Sequence, residues 1–333
     1  MTASAPDMRV DRSTKATRIG LWAMLAVALL LAVAPWYAGA GVINRLTALC
    51  VYVLLAAMWN ALAGYGGLVS IGQQMFFGLG AYATIRLSEA GVDPFVAVAL
   101  AGLAVALLSW PVSLVMLRLR GGEFAIGMWV LASVSHLLVN LDPLIQGETG
   151  RSLVALNAYD TETRRLMVFW MALLAMLLVL GLLAALLRSR LGLAIQAIRD
   201  NEEAAGSLGV DAFRTKQVIF VLSAFGIGLA GAIWLASATS FQPKTYFSVQ
   251  WTAYMIFMVL VGGIGRFEGA ILGACLFFLI ETWFAATGVW YLIGLGATAM
   301  VFSLYLPKGA WGAIGLRLLP FGYSVTQGNG DRT

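Results

Sequence analysis

Residues 165–187 read RLMVFWMALLAMLLVLGLLAALL, and after Arg165 this stretch contains no charged and no polar side chain. A helix rises about 1.5 Å per residue and the hydrocarbon core of a bilayer is roughly 30 Å thick, so about 20 apolar residues cross it once. The run is continuous, whereas a strand of a membrane barrel alternates polar and apolar residues over about ten positions. It predicts a membrane-spanning helix.

The same pattern recurs along the chain. Ten candidate spans follow, at 19–38, 42–63, 67–88, 94–117, 122–141, 165–187, 215–238, 251–264, 268–286 and 289–306, the eighth too short to cross alone without tilt or a break. Composition agrees: 61% of the 333 residues are hydrophobic and 11% charged, against about 25% charged in a soluble domain. The expected fold class is all-α, a polytopic transmembrane helical bundle of about ten spans with short or broken helices. Cys50 and Cys275 sit inside apolar runs as small hydrophobes, away from any metal-ligand spacing. The net charge of +5 is scattered between spans and forms no basic face for nucleic acid.

Topology accounts for that charge. With a cytoplasmic N-terminus, fifteen of the 21 Lys and Arg residues fall inside, and Arg45, Arg86, Arg151, Arg164, Arg165 and Lys244 fall outside. The positive-inside bias then places both termini in the cytoplasm. The chain divides into a cytoplasmic segment 1–18, a membrane domain 19–306 with a cytoplasmic loop at 188–214, and a cytoplasmic tail 307–333. The basic residues Arg9 to Arg18, the apolar run after them and Ala38-Gly39-Ala40 also resemble a secretory signal. The run from Ile19 exceeds the usual 7–15-residue signal core, which favours a retained helix.

Two stretches carry mechanism. Ser189–Lys216, SRLGLAIQAIRDNEEAAGSLGVDAFRTK, is the longest charged segment between spans. Asp200 is placed to cap a short helix over 201–208, with Glu203 completing a capping box and Gly209 as its left-handed stop. Such a helix can dock into a soluble motor subunit or be an ordinary surface connector. Gly64–Tyr82, GYGGLVSIGQQMFFGLGAY, holds six glycines in nineteen residues and makes a poor regular helix. Broken helix at membrane depth is tolerated where protein buries it or where it lines a watery cavity. Ser70, Gln73 and Gln74 become candidate path linings and Phe76 and Phe77 candidate apolar gates; close packing through small residues is the alternative.

Gly265, Gly269 and Gly273, spaced by four, predict a small-residue packing ridge. Ionisable residues at membrane depth are few. Arg45, Arg86, His136 and Glu281 lie toward the outer ends of their spans, where snorkelling or local pairing serves them. The sharper expectation has His136 and Glu281 facing an outward vestibule on the translocation path.

The stretches SIGQQMFFGLGAYA, LRLRGGEFAIG, SRLGLAIQAIRDNEEAAGSLGV, FVLSAFGIGLAGAIWLAS and VGGIGRFEGAILGA together resemble the permease subunits of high-affinity branched-chain amino-acid ABC importers, of the longer LivM-like type, most strongly from Gly64 to Phe277. Permeases for urea and short amides share the pattern. The resemblance implies a bacterial-type inner membrane, a second permease in a heterodimer, two cytoplasmic ATPase subunits and a periplasmic or lipid-anchored binding protein. It implies contact with the ATPases through Arg199, Asp200, Glu202, Ala204, Ala205 and Gly209, and alternating access as the mechanism. The family often has a histidine where this chain has Gln73, and only Thr149-Gly150-x-Ser152 fits its usual extracellular TGGSDGL-like stretch.

No lysine here has P-loop context, so ATP with its Mg is expected on partner subunits and no cofactor on this chain. An ion-coupled secondary transporter is disfavoured by the scarcity of mid-membrane carboxylates, although backbone carbonyls at broken helices could bind sodium. A membrane enzyme would need an acid/base or metal constellation, which one histidine without an H-E-x-x-H motif does not build, so no catalytic or metal residues are expected.

Overall fold

The computed structural model describes residues 8–11, 15–306, 308–314 and 324–327. In chain order its elements are β1 (Met8–Asp11), α1 (Lys15–Tyr37), α2 (Ala40–Asn60), α3 (Gln74–Glu89), α4 (Pro94–Met116), α5 (Gly122–Asn140), β2 (Arg151–Ser152) and α6 (Thr161–Arg188). Then follow α7 (Arg190–Asp200), α8 (Glu202–Ser207), α9 (Ala212–Ala238), β3 (Ser240–Phe241), α10 (Pro243–Tyr246), α11 (Val249–Gly262), α12 (Phe267–Phe284), α13 (Val289–Tyr305), α14 (Gly309–Ile314) and β4 (Ser324–Gln327). The strands form two small antiparallel ribbons, β1 with β4 and β2 with β3. The remaining parts of the segments expected to be cytoplasmic, 1–7, 12–14, 307, 315–323 and 328–333, lie outside the described residues.

Several helix boundaries follow short polar side chains that satisfy the first free amides of the helix. Asp93 Oδ1 accepts from Phe95 and Val96 N at 2.9 and 3.3 Å ahead of Pro94. Asp160 caps α6, Ser189 caps α7, Asp211 caps α9 and Ser248 caps α11.

Among the described residues eight helices are long and apolar enough to span a membrane. That agrees roughly with the expected ten, the first and third expected spans being present as helices with shorter described apolar stretches. The described apolar part of the first span, Met24–Tyr37, is short, and α3 has only 16 residues because the backbone over 66–73 is not helical. The eighth span gains its missing length from α10, so that Pro243–Gly262 covers 20 residues. Large apolar side chains face outward along the flanks, among them Leu107 on α4, Leu138 on α5, Leu174 on α6 and Trp290 on α13. Water would not tolerate such a surface; lipid does.

α2 is the hub, buried along most of its length and packed against α6, α9, α11 and α12. α9 carries the second layer, in contact with α3 and α4. The helices approach closely because glycine supplies no side chain: a Cβ on Gly231 would stand 1.9 Å from Phe77 O, and one on Gly80 1.9 Å from Gly228 O. Gly273 plays this part between α11 and α12, where a Cβ would lie 1.8 Å from Met258 O, and Gly269 faces the carbonyls of Gly262 and Gly263. Gly265 does not belong to that ridge. α12 starts only at Phe267, and Gly265 turns the chain with φ +71°.

Candidate functional site: a helix break tied to a charged loop

The helix begun by α2 does not end cleanly at Asn60. A π-turn follows over Ala61–Tyr65, Gly67 takes φ +68°, and regular helix resumes at Gln74. π-turns shift the backbone hydrogen-bond register, and here the break leaves carbonyls that need partners from elsewhere. Arg199, at the end of α7, supplies one: its Nη1 donates to Gly64 O at 2.9 Å, while Nε and Nη2 donate to Asp200 Oδ1 at 2.9 and 2.7 Å. Its side chain runs against Gly67, where an added Cβ would meet Arg199 Cγ at 3.1 Å.

The α11–α12 turn joins the same junction. Asn60, 1% exposed, accepts from Gly265 N at 2.8 Å and donates to Arg266 O at 3.0 Å, satisfying both ends of a buried amide. Three interruptions in the chain, the π-turn, the α7–α8 corner and the α11–α12 turn, are thus locked together by one arginine and one asparagine.

The short helix of the loop forms over Glu202–Ser207, one residue shorter at each end than the expected 201–208, with its cap moved by one. α7 continues through Asp200, and Asn201 takes extended backbone, φ −160° and ψ 105°, so that Asn201 and not Asp200 caps α8 by accepting from Ala204 N at 3.0 Å. The capping box is lost with that shift, because Glu203 is then one position too early. The predicted stop stands: Gly209 has φ +82°, and the bonds Val210 N to Ala205 O and Gly209 N to Gly206 O complete a Schellman end. Lys216 Nζ holds Glu202 at 2.8 Å and so fixes α8 to α9. Glu203 and Asp200 are exposed and Ala205 is buried. α7 was missed from the sequence, although Gly192, Ile195 and Ile198, its buried face, recur every three residues.

The path candidates separate. Ser70 is wholly buried, its carbonyl accepting from Trp59 Nε1 at 3.0 Å and its Oγ from Gly72 N at 3.3 Å. Gln74 bonds Thr252 of α11, through its Oε1 and through its N at 3.2 Å. Gln73 is fully buried with neither amide atom bonded among the described residues. Phe76 and Phe77 are in the core: Phe76 meets Phe220 edge-on at 5.5 Å, and Phe77 lies 4.2 Å from Trp251 and 5.7 Å from Tyr246. In this conformation both rings are fully buried and anchor α3.

His136 and Glu281 are each engaged elsewhere. His136 Nε2 lies 2.9 Å from Glu148 and 3.3 Å from Asn140 Nδ2, and Glu281 accepts from Tyr52 OH at 2.7 Å. The same end of the bundle as His136 carries further ties: Arg86 to Asp142 at 2.6 Å, Arg151 to Glu89 at 2.7 Å, and Glu148 to Lys244 N at 3.0 Å. At Asp142 burial alone would raise the carboxyl, but bonds from Tyr82 and Leu144 N together with Arg86 outweigh it and hold it below the usual carboxylate range. Glu148 is lowered in the same sense, burial being outweighed by Asn140, His136 and Lys244 N. Among the described residues no three His, Cys, Asp or Glu side chains group as a metal site.

The sequence profile of the family described as "Branched-chain amino acid transport system / permease component" matches residues 41–306. The high-affinity branched-chain amino acid transport system permease protein LivM of Salmonella typhimurium is 26% identical over 327 residues, covering 90% of this chain and 76% of that protein. Its Escherichia coli K12 counterpart is 27% identical with the same coverage. An ABC transporter described as of metal-chelate type, solved in an inward-facing conformation, shares the fold at TM-score 0.54 and 16% identity, over 87% of this chain and 99% of that one. The matched region runs from the start of the hub helix to the end of the last span and includes the helix break, the charged loop and the α11–α12 turn; this multi-pass membrane chain belongs to the family of branched-chain amino acid transport system permease components.

Proposed function

We propose that this chain is one of two membrane-spanning subunits of an ATP-driven importer for branched-chain amino acids, residing in a bacterial-type inner membrane with both termini in the cytoplasm. Its partners are a second, non-identical permease, two cytoplasmic ATPase subunits that hold and hydrolyse Mg-ATP, and a periplasmic or lipid-anchored binding protein. The observation that carries the reading is the junction of α7–α8 with the π-turn. A loop on the proposed cytoplasmic side reaches by a charged hydrogen bond into a break in the hub helix.

On this reading α8 receives the ATPase movement through the exposed Glu203 and the loop around it, and Arg199 faces inward. The junction then passes that movement to the segment 66–73, where Ser70 and Gln73, whose amide bonds nothing among the described residues, become path residues when the spans separate. Alternating access requires ATP and loaded binding protein to favour different states, since a ligand with equal affinity for both shifts nothing. Hydrolysis lies on the partners and this chain supplies the path.

The test is co-purification from detergent, identification of bound subunits by mass spectrometry, and ATPase assays with binding protein and solutes added singly. Recovery of Walker-type ATPases and turnover stimulated by leucine-, isoleucine- or valine-loaded binding protein is expected. Stimulation by urea or a short amide instead would reassign the solute. Recovery of this chain alone with ionophore-sensitive uptake would replace the reading by ion-coupled transport.

A further inference from the structure

A polar cavity of about 110 Å³ opens where α2, α6 and α9 meet, at the end of the bundle opposite the charged loop. Its walls include Arg164 and Arg165 from the first two turns of α6, with Asn44, Thr47, Thr161 and Ser237 around them. The two arginines stand against two general preferences. Cations at a helix N-terminus oppose the positive end of the helix dipole, and on the topology read from the charges they lie outside, where arginine is scarce. Arg86 and Arg151 at the same end have carboxylate partners. No described carboxylate lies within 4.0 Å of Arg164 or Arg165. Asp160, the residue before α6, accepts from Glu162 N, and neither Asp160 nor Glu162 forms an ion pair with the two arginines. Two half-buried guanidinium groups beside a pocket of hydroxyl and amide groups form a receptor for a tetrahedral or planar oxyanion.

The depth of the pocket indicates where such an anion comes from. Trp170 lies five residues beyond Arg165 on α6, about 7.5 Å further along the axis. It meets Trp36 of α1 edge-on at 6.3 Å, and Trp36 and Tyr37 are exposed on the flank. Tryptophan and tyrosine collect at the membrane interface, so the arginines above them stand level with lipid headgroups. We propose that this pocket holds the phosphate of an anionic lipid headgroup between Arg164 and Arg165, with Asn44, Thr161 and Ser237 around them completing its hydrogen bonds.

The experiment is native mass spectrometry of the full chain in detergent, titrated separately with dioleoyl phosphatidylglycerol, dioleoyl phosphatidylcholine, inorganic phosphate and leucine. The expected result is phosphatidylglycerol adducts bound at least about tenfold more tightly than phosphatidylcholine. They are lost in Arg164→Gln/Arg165→Gln and kept in Arg45→Gln, a cation at the same end that does not line the cavity. Equal adducts in parent and double variant would overturn the site. Displacement of phosphatidylglycerol by inorganic phosphate at matching affinity would overturn the lipid as source and leave a free-phosphate site, and displacement by leucine would overturn both in favour of a carboxylate-receiving solute site. If the double variant fails to fold, Arg165→Gln and Asn44→Leu, each expected to weaken phosphatidylglycerol binding, are read in its place.

Discussion

Replacing Arg199 by glutamine removes the bond to Gly64 O and both bonds to Asp200. The Asp200 pair contributes little, because its carboxylate is 68% exposed and solvent screens it. The Gly64 bond is different: a charged donor at 2.9 Å serves a carbonyl freed by the helix break, next to Tyr65, which is 3% exposed. Hydrogen bonds to charged groups contribute about 1.5–3 kcal/mol net, and an orphaned carbonyl costs a similar amount. At 1.4 kcal/mol per tenfold, that is about a 10- to 150-fold change in the equilibrium the tie controls. The assay is the complete complex in proteoliposomes, with uptake and ATP hydrolysis measured together. Arg199→Gln should still assemble and hydrolyse ATP without solute, while uptake per ATP falls about tenfold or more. Arg199→Lys, which keeps the charge but loses the guanidinium fork, should fall between. Uptake and stimulated hydrolysis within about twofold of the parent in Arg199→Gln would refute the tie as a transmission element.

Gly231→Ala should abolish folded protein in detergent size-exclusion chromatography, because its Cβ would lie 1.9 Å from Phe77 O, a backbone atom that cannot swing away; a monodisperse, fully active variant would contradict the close α3–α9 contact. Glu202→Lys with Glu203→Lys should reverse the Lys216 tie and release the ATPase subunits, checked by co-purification. Asp142 and Glu148 have carboxyls held below their ordinary values, so their stabilisation is present above about pH 4 and is lost as pH falls through the lowered folded values. Thermal midpoints between pH 7 and pH 3 should drop less for Asp142→Asn than for the parent. His136→Gln with Glu281→Gln should reduce uptake if either lines the path; unchanged uptake would assign both to the pairs they make with Glu148 and Tyr52.

The sequence by itself determined the solvent and the class of fold. Runs such as 165–187 admit one structure in hydrocarbon, because lipid offers no partner to an open backbone. It also marked where regularity fails, since Gly64, Gly66, Gly67 and Gly72 fall in the break while Gly78 and Gly80 lie within α3, and it placed the stop of α8 at Gly209. Only the tertiary structure decided what those features do. That Arg199 turns inward to Gly64, 135 positions away, is set by packing of α7 against the hub and leaves no trace in local pattern. The same holds for Phe76 and Phe77, whose rings read equally as gate or core until α9 and α11 are laid beside them. Asn201 displaced Asp200 as the cap because α7, a helix the sequence reading did not place, is held by its buried Gly192, Ile195 and Ile198 and continues through Asp200. Periodicity and composition report what each segment must avoid; which residues meet depends on contacts between segments, and those are made only when the bundle closes.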